Sequence, residues 1–110
     1  MNNQLNINHH TVSAVVLDNP VHDFTPDGVP RAIFYADGEY WSGDVGKPNH
    51  YRVVAFGKMA DTVVDRFVRR GSQVILSGPS RIREEPSGPV TEFVGGPRQE
   101  IKVLPEGGSL

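Results

Sequence analysis

The chain has 110 residues, 37 % of them hydrophobic and 22 % charged, with a net charge of −2 and no cysteine. That size and composition describe one ordinary soluble domain without disulfides, thiolate metal sites or thiol nucleophiles, and no apolar run approaches the ~20 residues that cross a bilayer. The faintly acidic balance gives no whole-molecule attraction to a polyanion, so such a partner needs a local cationic patch.

Residues 1–10 are polar and Asn-rich without periodicity, and read as a flexible arm. They carry neither a basic cluster nor an apolar core of a secretory signal, and together with the lack of cysteine this fits a cytoplasmic protein. Thr11 to Leu17 begins as an alternating β-branched strand, which Asp18-Asn19-Pro20 ends. Thr25-Pro26-Asp27-Gly28 places proline and glycine where a tight turn uses them, so Val21 to Phe24 and Arg31 to Ala36 read as the arms of a hairpin. Tyr40 and Trp41 then stand at the root of a polar loop.

His50 to Phe56 is the next strand. Successive side chains point to opposite faces, which puts Tyr51, Val53 and Ala55 in the core and His50, Arg52, Val54 and Phe56 on the other side. Arg52 has no carboxylate among its strand neighbours on that face, so it is expected to point outward. Gly57 closes the strand, and Ala60, Val63, Val64, Phe67 and Val68 follow the spacing of an amphipathic helix over 58–70. Asp65 and Arg69 stand four apart, Arg69 and Arg70 fall in the last turn, and Gly71 supplies a left-handed stop. Gln73 to Ser77, Ser80 to Glu84, Val90 to Val94 and Gln99 to Leu104 read as further strands, with a loop at 85–89. One helix between the third and fourth strands of a five-stranded Greek-key barrel is the plan of an all-β OB-fold, covering 11–104, with 105–110 as a short end.

The block from Tyr51 to Asp61, with Phe56-Gly57-Lys58 at its centre, resembles the bacterial and bacteriophage single-stranded DNA-binding protein family. So do Arg70-Gly71-Ser72 leading into a strand that ends at Gly78, and Arg81-Ile82-Arg83 beyond it. Pro26 and Gly28, and Thr91-Glu92-Phe93, fall where that family has a turn and a strand. The resemblance implies an OB-fold without enzymatic activity or cofactor. It also implies a homo-oligomer, tetramer or dimer, that binds single-stranded DNA with little sequence preference in replication, recombination or repair. Aromatic faces stack on bases and cations follow the phosphates in such binding. Carried over by position, Trp41, His50 and Phe56 are the stacking residues, and Arg52, Lys58, Arg70, Arg81 and Arg83 the phosphate contacts.

The departures from the family pattern point to weaker binding. His50 replaces a stacking tryptophan, Glu85 stands where some members have an aromatic, and Asp23 where they have a cation. Each lost stack is typically worth about 1–3 kcal/mol. Glu84 and Glu85 also follow Arg81 and Arg83 at once and can neutralise them. The sequence shows no acidic tail of the kind that recruits replication proteins. An alternative is therefore an OB-fold interaction module of replication-restart type with weak or no DNA binding, and RNA is a further possible ligand. Enzyme chemistry finds no support: the four histidines lack ligand spacing, Gly95-Gly96-Pro97 is followed by no lysine and helix, and Glu84 and Glu85 point to opposite faces of a strand.

Overall fold

A computed structural model describes residues 9–38 and 49–105. Seven strands, β1 (His9–Val16), β2 (Val21–Phe24), β3 (Pro30–Gly38), β4 (His50–Phe56), β5 (Gln73–Glu85), β6 (Gly88–Val94) and β7 (Glu100–Val103), form one sheet. The order β1-β3-β4-β6-β5 closes on itself through a β1–β5 pairing, giving a ring of five strands, with β2 appended to β3 and β7 to β5. Among the described residues, β4 and β6 are the one parallel pair. The fold is the expected all-β OB barrel, with its helix between the third and fourth strands of the ring.

The barrel interior follows from the strand period. Phe34, Val53, Phe93 and Ser80 are register partners across β3, β4, β6 and β5, and all four are buried. Tyr51, Val53 and Ala55 lie in the core as their alternation predicts, and the Tyr51 and Phe93 rings meet at 5.9 Å between centroids, tilted by 54°. The hairpin of β2 and β3 turns at 25–28, where the Gly28 N–H donates to the Thr25 carbonyl at 2.8 Å.

Three elements differ from their sequence expectation. β1 begins at His9, because His9 and His10 pair with Pro79 and Gly78 of β5, so the strand reaches into the expected arm. The segments on either side of Gly78-Pro79 form one continuous strand. Residues 73–79 pair with β1 and residues 80–85 with β6, and the strand changes partner at the bend where Gly78 has φ +144°. The third difference is in α1, whose turns are wide over Met59–Val64, where the Asp65 N–H reaches the Ala60 carbonyl, before ordinary helical turns at Asp65–Phe67. A wide turn holds more residues. Ala60, Val64 and Val68, in steps of four, therefore stay in the core, while Phe67 swings out to 58 % exposure.

The helix ends at Phe67 with Val68 already extended, so Arg69 and Arg70 lie beyond its last turn and Gly71 is not its stop, contrary to expectation. Arg69 Nη1 instead donates back to the Asp65 and Val68 carbonyls, each at 2.8 Å. It thus binds the backbone of Asp65, whose carboxylate lies 3.6 Å from the His22 imidazole of β2. Among the described residues, no helix is long and apolar enough to cross a membrane.

Candidate nucleic-acid interface

The outward row next to the buried one carries the site. Tyr35, Arg52, Glu92 and Arg81 are register partners on β3, β4, β6 and β5, so the pleat aims all four to the outside of the barrel wall. Glu92 is nonetheless only 1 % exposed, covered by the arginines around it. Arg81 Nε donates to its Oε1 at 2.9 Å, Arg52 Nη1 donates to its Oε2, and Arg83 Nη1 lies 3.8 Å from Oε2. Burial pushes the Glu92 carboxyl up, but the hydrogen bonds and charges of Arg81 and Arg52 outweigh it and hold the group below its ordinary range.

A second carboxylate sits beside this knot. Glu85, the last residue of β5, accepts from Arg83 Nε at 2.9 Å and from the Tyr35 hydroxyl at 3.0 and 3.2 Å. Arg52 Nε lies 3.9 Å from it and donates to the Tyr35 oxygen at 3.2 Å. The expectation that Arg52 has no carboxylate to pair with is therefore corrected. Its partners come from β6 and the end of β5, which the pattern of its own strand could not reveal.

Two residues further along the same face of β4, His50 Nδ1 lies 2.6 Å from Asp37 Oδ1 of β3. In the other direction Phe56 is half-buried, its ring against Gly95, where an added Cβ would come within 2.6 Å of Cδ2. Beside Phe56, Arg31 grips Asp23 with two parallel bonds of 2.8 and 2.7 Å. That fork holds the Asp23 carboxyl below its ordinary range and raises the Arg31 guanidinium.

Arg52, Arg81 and Arg83 are thus brought together, with His50 and Phe56 flanking them on one face of β4. Lys58 is exposed where α1 begins, and its carbonyl accepts from Thr62 Oγ1 at 2.6 Å. Arg70 stands apart, its N–H donating to Asn19 Oδ1 at 2.9 Å, and roughly 26 Å of extended strand separates Gln73 from Arg81. Trp41 lies outside the described residues. Sequence reasoning did not single out Tyr35, Glu85 and Glu92 as one network. The available signal was a carboxylate between Val90 and Val94 on one strand face, since such a charge requires a partner. Among the described residues, no group of histidines and carboxylates is arranged to hold a metal ion.

No protein-family model matches the chain, and no curated protein matches it. Solved structures do. The SSB (single-stranded DNA-binding protein) of Plasmodium falciparum in complex with ssDNA superposes with a TM-score of 0.71 at 21 % identity, covering 96 % of this chain and all of that one. The SSB domain of a Synechococcus protein gives 0.66 at 25 % identity, covering 86 % of this chain and 93 % of that one. The chain has the OB-fold of the single-stranded DNA-binding proteins, the family its sequence resembles.

Proposed function

We propose that the chain is a non-catalytic single-stranded DNA-binding protein that holds the strand along the outer wall of β3, β4, β6 and β5. The observation that carries this is the vertical sorting of charge. Glu92 lies at the base of the wall, while the side chains of Arg81 and Arg83, 68 % and 45 % exposed, stand above it. Each is held through Nε by a carboxylate while its side chain remains open to solvent, which suits contact with phosphates. His50 and Phe56 on the same face of β4 offer ring surfaces for bases, with Lys58 a further cation and Arg70 a separate contact, and Trp41 a further stacking residue by its resemblance to the family alone. A role in replication, recombination or repair follows from that activity. The P. falciparum SSB, solved in complex with ssDNA, has the same fold and supports the reading.

Anisotropy titration of labelled oligo-dT at several salt concentrations tests it. Binding is expected to weaken with salt, with a logarithmic slope of about −0.7 per neutralised phosphate. No binding at low salt overturns the proposal.

The neutralisation of Arg52 by Glu92 and Glu85 favours a second reading, an OB module that docks a protein. Arg52→Ala combined with Phe56→Ala separates the two: DNA binding collapses under the first and is unaffected under the second. We also expect a homo-oligomer. The exposed apolar side chains of Val21, Phe24, Phe67 and Ile82 support this, and solution mass measurement tests it.

A further inference from the structure

We propose that Glu85 is a built-in competitor for the phosphate backbone: its carboxylate fills an anion subsite formed by Arg83, Tyr35 and Arg52, and a nucleic-acid phosphate displaces it. This deepens the DNA-binding reading and rests on it.

The donors come from three strands. Arg83 Nε on β5 and the Tyr35 hydroxyl on β3 donate to Glu85, while Arg52 Nε on β4 donates to the Tyr35 oxygen and so polarises the phenol toward its acceptor. A phosphodiester presents two non-bridging oxygens much as a carboxylate presents its two, so the same three groups fit either anion.

The two acids of the wall differ in what holds them. Glu92 sits mid-strand, 1 % exposed, with a guanidinium on each oxygen, and removing it would leave a hole beneath the arginines. Glu85 is 17 % exposed and immediately precedes the Pro86-Ser87 turn. Rotation of its side chain alone returns the carboxylate to water, with no backbone bond broken. When it leaves, Arg83 keeps only the Glu92 carboxylate, 3.8 Å from Nη1 and already shared with Arg52 and Arg81. The Arg83 guanidinium is raised chiefly by its hydrogen bond to Glu85, which is consistent with an occupied anion position.

The test compares Glu85→Gln with wild type in oligo-dT titrations across salt. Glu84→Gln serves as control, because it makes the same charge change one residue away on the opposite strand face. Glu85→Gln is expected to bind about tenfold tighter, with a salt slope steeper by about 0.7, while Glu84→Gln changes affinity less than about twofold. Placing Arg83→Gln in the Glu85→Gln background is expected to abolish the gain.

Equal affinity of Glu85→Gln and wild type, weaker binding by Glu85→Gln, or an equal gain in Glu84→Gln overturns the competitor role and leaves DNA binding standing. Absence of binding by wild type and both variants overturns the DNA-binding reading and this proposal with it. Binding by Glu85→Gln alone means that phosphate does not displace Glu85 from the wild-type protein, and overturns this proposal. Thermal melts confirm that the variants are folded, and Glu85→Ala replaces Glu85→Gln if the amide disturbs the turn.

Discussion

Arg81 and Glu92 face each other across the β5–β6 pair at 2.9 Å, yet the arginine is largely in solvent and the carboxylate is almost fully buried. Their removal therefore has unequal consequences. Glu92→Ala leaves the half-buried Arg52 with only the more distant Glu85 carboxylate, 3.9 Å away, and opens a gap beneath the wall, and is expected to cost about 3 kcal/mol of folding stability. Arg81→Ala leaves Glu92 paired with Arg52 and is expected to cost less than about 1 kcal/mol. Both should weaken oligo-dT binding, Glu92→Ala because its arginines lose their anchor. Urea denaturation checks the stability order, and equal losses would contradict a framework role for Glu92.

Acid should act on the same knot. Glu92 and Asp23 both have carboxyls below their ordinary range when folded, so the unfolded chain binds protons that the folded one does not. The stability they confer is fully present above the unfolded carboxylate value, about 4, and is lost as pH falls through the lower folded values. Urea midpoints should thus be insensitive to these two groups from neutrality to about pH 5 and decline below about pH 4. The acid decline should be shallower in Glu92→Gln, which has no carboxyl to titrate at that position.

The helix gives a prediction opposite to its apolar pattern. Val64 is fully buried, and Val64→Ala should cost about 2 kcal/mol by opening a cavity. Phe67 carries more apolar surface but points outward, so Phe67→Ser should change monomer stability by no more than about 0.5 kcal/mol. A large loss in Phe67→Ser that depends on protein concentration would show that this ring is covered by another copy.

These cases mark what the sequence makes legible. The alternation of Tyr51, Val53 and Ala55 against Arg52 and Phe56 depends only on the strand period, and the structure follows it residue by residue. The same holds for the Thr25 to Gly28 turn, where proline and glycine chemistry is local. Phe67 is misplaced by the helical period because a few wide turns shift every position after them. The partners of Arg52 are hidden for another reason. Glu92 stands forty residues away on a parallel neighbour, and register between distant strands is set by the closed barrel as a whole. Candidate cations were therefore readable one by one, whereas the acids that orient or occupy them were not.

Gly78 separates two contributions that usually travel together. Its φ of +144° lies outside the range side chains favour, and an added Cβ would stand 3.1 Å from Gln99 Cα and 3.3 Å from the Arg98 carbonyl oxygen. Both neighbours are backbone and cannot rotate aside. Gly71, after the helix, has φ +87° with nothing within 4 Å of the same position. Gly71→Ala should therefore show conformational cost alone, about 1 kcal/mol. Gly78→Ala adds the collision and should cost about 2–3 kcal/mol. The excess has a structural destination: pushing Gln99 away strains its side-chain bond to the Val54 carbonyl, 2.9 Å, and so loosens β4 beside Phe56. Hydrogen exchange at β4 amides should accelerate in Gly78→Ala and not in Gly71→Ala. Matching stability losses and matching exchange in the two variants would mean that β5 bends at Gly78 through backbone preference alone, without the close approach of the 98–99 segment.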